Sequence, residues 1–218
     1  MPARYFLLLT LVWCFTLASV NAQERAIQKN EYFSELWKAM ELTEKYVPRR
    51  VKVIRSEFKR RLLTEKRAVT EEHQSADRYR RAVDWTSKGK TSQEQYLRIG
   101  EDYYCKVGRS AWQKSASSCE PMMMSSGPDP QKQEYSVDQR LIGEARKRVF
   151  RMYQTHQWPK SVKGIEYFTE QIFTVNPEGL FERIEIKEGI VGSQSLTSTQ
   201  TEVYEYDVSI QEIRPPIK

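Results

Sequence analysis

The chain has 218 residues, of which 39% are hydrophobic and 29% charged, and it carries a formal net charge of +6. That length holds one sizeable domain, and so mild a basic balance does not by itself imply nucleic acid. The low hydrophobic fraction, with 12 Tyr and 5 Trp, favours a sheet with aromatic faces over a helical bundle.

Residues 1–22 read as a secretory signal peptide. Arg4 supplies a short positive start and Tyr5 to Leu17 an apolar run. Spanning a bilayer takes about 20 such residues, so the run is short for an anchor. Ala18-Ser19-Val20-Asn21-Ala22 ends with small residues where a signal peptidase reads, which predicts cleavage after Ala22. Cys14 follows Trp13 rather than a small residue, so no lipobox is present. Removing the signal takes Arg4 and no acid, so the net charge of Gln23–Lys218 falls from +6 to +5. The expected organisation is a signal over 1–22 and a single domain over 23–218, exported to a periplasm or the medium.

The first element of the mature chain is a helix. Asn30 is a suitable N-cap. Phe33, Leu36, Trp37 and Met40 then recur at helical spacing as one apolar stripe, opposite Glu31, Glu35, Lys38, Glu41 and Lys45. Pro48 sets the latest end. The stripe reads as a face packed on a sheet; an interfacial membrane helix is the alternative.

Strands follow. Arg50–Leu62 carries Val51, Val53, Ile54 and Phe58 among many cations, and Ala68–His73 pairs back on it. From Asp77 onward Tyr79, Val83 and Trp85 share a face, and Ser87-Lys88-Gly89-Lys90 is a turn. Glu94–Ile99 and Asp102–Val107 flank a Gly100-Glu101 turn. Lys114–Val137 reads as a long irregular loop. Its Met122-Met123-Met124 run suits either an adaptable binding surface or a cover for the sheet. A short helix is expected near Val137–Ala145. In the strand at Arg146–Thr155, Val149, Arg151 and Tyr153 oppose Phe150 and Met152. His156-Gln157-Trp158-Pro159 is the next turn region. Ile165–Val175 and Leu180–Lys187 form a hairpin around Asn176-Pro177-Glu178-Gly179. In Thr197–Ile213, Tyr204, Tyr206, Val208 and Ile210 alternate with polar residues. Pro215-Pro216 ends the ladder. The layout is α+β: a large curved antiparallel sheet, a half-open barrel, wrapped around an N-terminal amphipathic helix.

Cys105 and Cys119 are the two cysteines beyond the signal. In an oxidising compartment they read as a structural disulfide. Their separation is too long for a C-x-x-C redox pair, and neither His73 nor His156 has ligand-like spacing to them, so no metal is expected.

The order of these elements resembles the LolA-like superfamily of periplasmic lipoprotein and lipid carriers. The matching stretches are Asp77-Arg78-Tyr79-Arg80, Ile99-Gly100-Glu101-Asp102-Tyr103-Tyr104, Trp112 and Asn176-Pro177-Glu178-Gly179-Leu180. The last is Tyr204 to Ile210, closing on Pro215-Pro216-Ile217. The resemblance implies an incomplete barrel around helices with an apolar cavity for acyl chains, and no catalytic residues. That family's helical insertion would fall between Trp112 and Arg146, where this chain has Cys119, Gly127, prolines and three methionines.

The residues show no G-x-S-x-G elbow and neither of the glycine-rich phosphate loops. Two histidines offer little base for a nucleophile. The expectation is therefore a non-enzymatic binding protein with no cofactor. Trp37, Met40, Tyr79, Trp85, Tyr104, Phe168, Tyr204 and Tyr206 are its candidate apolar contacts, for a lipid or lipoprotein acyl chain. The alternative is an interaction module with a filled core. Its basic strand face would comprise Arg50, Lys52, Arg55, Lys59, Arg78 and Arg80, with Arg49, Arg60, Arg61 and Arg81 nearby, and would meet a protein or an anionic polymer or envelope component.

Overall fold

The computed structural model describes residues 25–119, 130–142, 145–157, 165–193 and 195–217. The expected signal peptide, the three-methionine run and the Trp158-Pro159 turn lie outside these residues. Among the described residues the fold is one open antiparallel sheet and one helix. The strands are β1 (Arg25–Ala26), β2 (Arg49–Lys59), β3 (Leu62–Ser75), β4 (Arg78–Ser87), β5 (Lys90–Ile99) and β6 (Asp102–Val107). They continue as β7 (Gln113–Ser115), β8 (Lys132–Ile142), β9 (Ala145–Gln157), β10 (Glu166–Val175), β11 (Phe181–Ile190) and β12 (Leu196–Tyr206). Their order in space is β1-β8-β9-β10-β11-β12-β2-β3-β4-β5-β6-β7. Each neighbouring pair is antiparallel, so sequence neighbours mostly pair through hairpins. The exceptions are β12, which pairs β2, and β1, which pairs β8.

The helix, α1 (Lys29–Lys45), starts two residues earlier than the sequence suggests. Its cap is Gln28, whose carbonyl accepts from Tyr32 N at 3.0 Å; Asn30 lies inside the helix. Its buried stripe is also rotated. Tyr32, Leu36, Ala39 and Thr43 face the sheet, while Phe33 and Trp37 stay 45% and 66% exposed. The spacing of both stripes is helical, so periodicity alone could not choose between them. Tyr32, Leu36 and Ala39 close a core with Phe150, Met152, Val175, Phe181 and Ile184 from β9 to β11. The side chains of one strand alternate between faces, so these residues define the helix-bearing face of the sheet. Among the described residues no helix is long and apolar enough to cross a membrane.

Two further expectations are corrected. The described residues of the expected helix at Val137–Ala145 are strand: Val137–Ile142 belongs to β8 and Ala145 opens β9, and Val137 pairs Phe150 and extends the core of the sheet. The closing strand also stops early. Asp207 takes a left-handed conformation (φ 53°) after Tyr206, and the ladder ends there. The remaining segment runs onto the opposite face, where Ile213 is 1% exposed against Leu97 and Tyr104. Its backbone N–H donates to Gln74 Oε1 at 3.0 Å. Alternation past Tyr206 is thus a tail filling a hydrophobic spot, not a strand.

Candidate functional site

A cavity of about 720 Å³ opens on the helix-bearing face. One wall is α1, which presents Phe33, Leu36, Trp37 and Met40. The floor is built by the strands in register. Phe173, Phe181 and Ile184 come from β10 and β11, Tyr204 from β12, and Val51, Val53 and Val69 from β2 and β3. The alternation Arg49-Val51-Val53-Arg55 sends all four to this face, while Arg50, Lys52 and Ile54 take the other. Tyr204 stands opposite Val51, and Val51 opposite Glu71, so successive rows cross the whole floor.

Polar groups occupy the remaining lining. Glu71 Oε1 lies 3.3 Å from Arg81 Nε, and His73 Nε2 lies 3.9 Å from Glu71 Oε2. The other ring nitrogen, Nδ1, is 3.3 Å from Arg49 Nη2. Glu202 accepts from Tyr204 Oη at 2.9 Å and from Gln200 Nε2 at 2.7 Å. Burial, with Glu202 beside it, raises the Tyr204 phenol far above its ordinary range, so it is a donor at neutral pH. Burial likewise pushes the Tyr206 phenol up to about 12. The Tyr206 hydroxyl donates to the Phe181 carbonyl, and Phe181 N donates to Thr43 Oγ1 at 2.9 Å. These two bonds fix the end of α1 to β11 and β12, and so set the width of the cavity.

Of the apolar-contact candidates, Trp37, Met40 and Tyr204 line this cavity together. The other five do not. Tyr206 is committed to the Phe181 carbonyl and to the Tyr46 ring, 5.1 Å away. Tyr79 stacks on His73 at 4.7 Å and borders a smaller hollow of about 350 Å³ with Tyr96, Tyr103 and Cys119. Trp85 is on the same face, opposite Arg67, and is 41% exposed outside the cavity. Tyr104 is buried on the opposite face with Leu97 and Ile213. Phe168 also lies there, stacked on Tyr153 at 5.8 Å and directly opposite Gly189.

The basic candidates divide in the same way. Only Arg55 of the six reaches the cavity. On the opposite face Arg50 and Arg80 both hold Glu72, Lys52 holds Glu205 at 2.5 Å, and Arg78 donates to the Ile213 carbonyl at 3.1 Å. Lys59 is exposed at the end of β2. Burial opposes the charge on Glu72, but hydrogen bonds from Arg80 and Arg50 outweigh it and hold the carboxyl below the usual glutamate range. Sequence reasoning did not single out Arg67, His73 or Glu202 as lining groups. Their period-two phase with Val69 and Tyr204 is the signal that could have found them.

Cys105 and Cys119 form a disulfide beside the small hydrophobic cluster of Val69, Val83 and Tyr96. Among the described residues no group of three or more His, Cys, Asp or Glu could hold a metal ion. Comparison with protein-family models, with curated proteins and with solved structures finds no match for this chain.

Proposed function

We propose that this chain is a non-enzymatic carrier that holds an acyl chain, or a ligand of like apolarity, between α1 and the sheet, which curves around the helix. The observation that carries this reading is the open cavity of about 720 Å³ on which Phe33 and Trp37 remain exposed, faced by Phe173, Phe181 and Ile184. Its volume is in the range of ligand sites, roughly 300–1,000 Å³. Each Å² of apolar ligand surface removed from water contributes about 25 cal/mol, before the costs of ordering the ligand. The LolA-like resemblance agrees with this use of the cavity. Export agrees with the Cys105–Cys119 disulfide, which belongs in an oxidising compartment.

The test is native mass spectrometry of protein purified from cells, with uptake of a fluorescent fatty acid as the second measurement. Co-purified lipid and saturable uptake are expected. Trp37→Ala should weaken uptake by about tenfold, the scale of losing one large apolar contact. Its thermal stability should stay within about 0.5 kcal/mol of the parent, as for an exposed position. Absence of both lipid and uptake would remove the carrier reading.

A further inference from the structure

The antiparallel order sends alternate turns to opposite ends of the strands, and at one end the turns gather cations. At one end the β2–β3 turn carries Lys59, Arg60 and Arg61, the β4–β5 turn Lys88 and Lys90, and the chain leaving β6 Arg109. At the other end Asp77, Glu101 and Glu178 stand in the β3–β4, β5–β6 and β10–β11 turns, beside Arg78, Arg98, Arg140 and Arg146. The described turns of the first end thus carry a cluster of cations, whereas those of the second mix both signs. Glu57 and Glu65, opposite each other just inside the basic end, offset part of its charge but not all of it.

The same end carries exposed apolar side chains. Leu62 is 72% exposed and Leu63 55%, directly after the two turn arginines, and Val107 is 57% exposed at the end of β6. Arg61 Nε donates to Ser195 Oγ at 2.9 Å, which draws the β11–β12 turn and its exposed Val191 alongside. Arg60 and Arg61 both have positive φ, 51° and 67°, as does Lys88 at 49°. A two-residue hairpin turn of this kind prefers Asn-Gly, because a Cβ crowds the neighbouring carbonyl oxygen there and arginine lacks the short polar side chain that offsets the cost. The cations stand where the fold itself would favour other residues.

We infer that this basic, leucine-tipped end of the strands is a docking surface for an anionic lipid bilayer. Cations near such a membrane contribute by electrostatic attraction, and exposed apolar side chains enter the interface beneath the headgroups. An anionic polymer would match the cations and leave Leu62 and Leu63 in water, which is why the bilayer is the better fit. The turn cations together with Leu62, Leu63 and Val107 orient the molecule with this end toward the membrane. The inference is independent of whether the cavity takes a ligand.

The experiment is co-sedimentation of the full exported chain with two kinds of vesicle, pure phosphatidylcholine and a mixture containing about one third phosphatidylglycerol. Binding to the second and not the first is expected. Arg60→Asn combined with Arg61→Gly should lower the affinity by about thirtyfold, from two lost cations near the surface. The same variant should raise the thermal midpoint, because it installs the preferred turn. A merely structural role for the arginines predicts no such split. Leu62→Ser with Leu63→Ser should lower vesicle binding by about tenfold. Glu101→Gln, at the other end, should change nothing. Equal binding to both vesicle types, or to neither, overturns the inference. So does dextran sulfate binding as tight as vesicle binding with the leucine variant unaffected, which would mark a polymer site instead.

Discussion

Arg49 Nη1 lies 2.6 Å from the Glu44 carbonyl oxygen, and 3.1 Å from that of Tyr46. The last carbonyls of a helix have no partner within it, and here the first residue of the next strand supplies one. A cation at that end also opposes the helix dipole favourably. Arg49 is 8% exposed, and burial lowers its pKa without depriving it of these acceptors. One side chain therefore caps α1, anchors it to β2 and forms part of the cavity wall.

Arg49→Met keeps the stem and removes the donors. It should lower the urea midpoint by the equivalent of about 1–3 kcal/mol, with the slope unchanged. Arg49→Lys should recover only part of the loss, since one ammonium cannot reproduce the guanidinium fork. A midpoint equal to the parent's would show that water satisfies those carbonyls just as well.

Glu72 gives the fold a defined response to acid. Its carboxyl is held down by Arg80 and Arg50 against the effect of burial. The native state therefore releases that proton more readily than the unfolded chain, in which glutamate titrates near 4.3. The resulting stability is present at neutral pH and is lost as pH falls through the lowered native value. Glu72→Gln should cost about 3 kcal/mol at neutral pH, by taking the anion from the partly buried Arg80 and leaving Arg50 with Glu205 alone. The gap from the parent should close below about pH 4. Denaturant curves across that range decide it; a gap that does not narrow in acid contradicts the linkage.

The disulfide joins residues separated by 14 positions. A loop of that length gives about 3 kcal/mol on the chain-entropy account. Reduction, or Cys105→Ser with Cys119→Ser, should lower the thermal midpoint accordingly. Mass analysis of the unreduced protein should show the two thiols bonded, and finding both free would refute the staple.

Gly189 and Phe168 are direct partners on β11 and β10. A Cβ on Gly189 would stand 2.7 Å from Phe168 Cε1 and 3.1 Å from the Ser195 carbonyl oxygen. Aromatic rings laid over a cross-strand glycine are a recognised sheet device. Gly189→Ala should destabilise by about 1–2 kcal/mol, and adding Phe168→Leu should return part of it. Additive losses in the double variant would show that the ring is not what the methyl meets.

Residue patterning read most of the strands correctly, because a half-buried strand writes its two faces into alternate positions. Val149 to Tyr153 sort as expected, and the Asn176–Gly179 turn lies where Pro and Gly place it, with Gly179 at φ 88°. Patterning was weakest where two phases were equally apolar. In α1 the expected stripe of Phe33, Leu36, Trp37 and Met40 overlaps the buried one at Tyr32, Leu36 and Ala39, and only contact with Phe150 and Phe181 decides that Phe33 and Trp37 stay outside. The same ambiguity dispersed the aromatic candidates: Tyr104 and Phe168 are strand residues of the right type on the wrong face.

The sequence by itself determined the class of the fold: one amphipathic helix, many antiparallel strands and a disulfide between its last two cysteines. These depend on local periodicity, turn chemistry and cysteine number, all of which act over short stretches of chain. Only the tertiary structure decided that Arg49, Arg55, Arg67 and Arg81 share a cavity with Trp37 while Arg50, Lys52 and Arg80 face away. It also decided that the cationic turns at Arg60-Arg61 and Lys88 meet at one end of the sheet. Both outcomes follow from strand register, which is fixed by pairings between residues as distant as Tyr204 and Val51, and no local pattern contains that information.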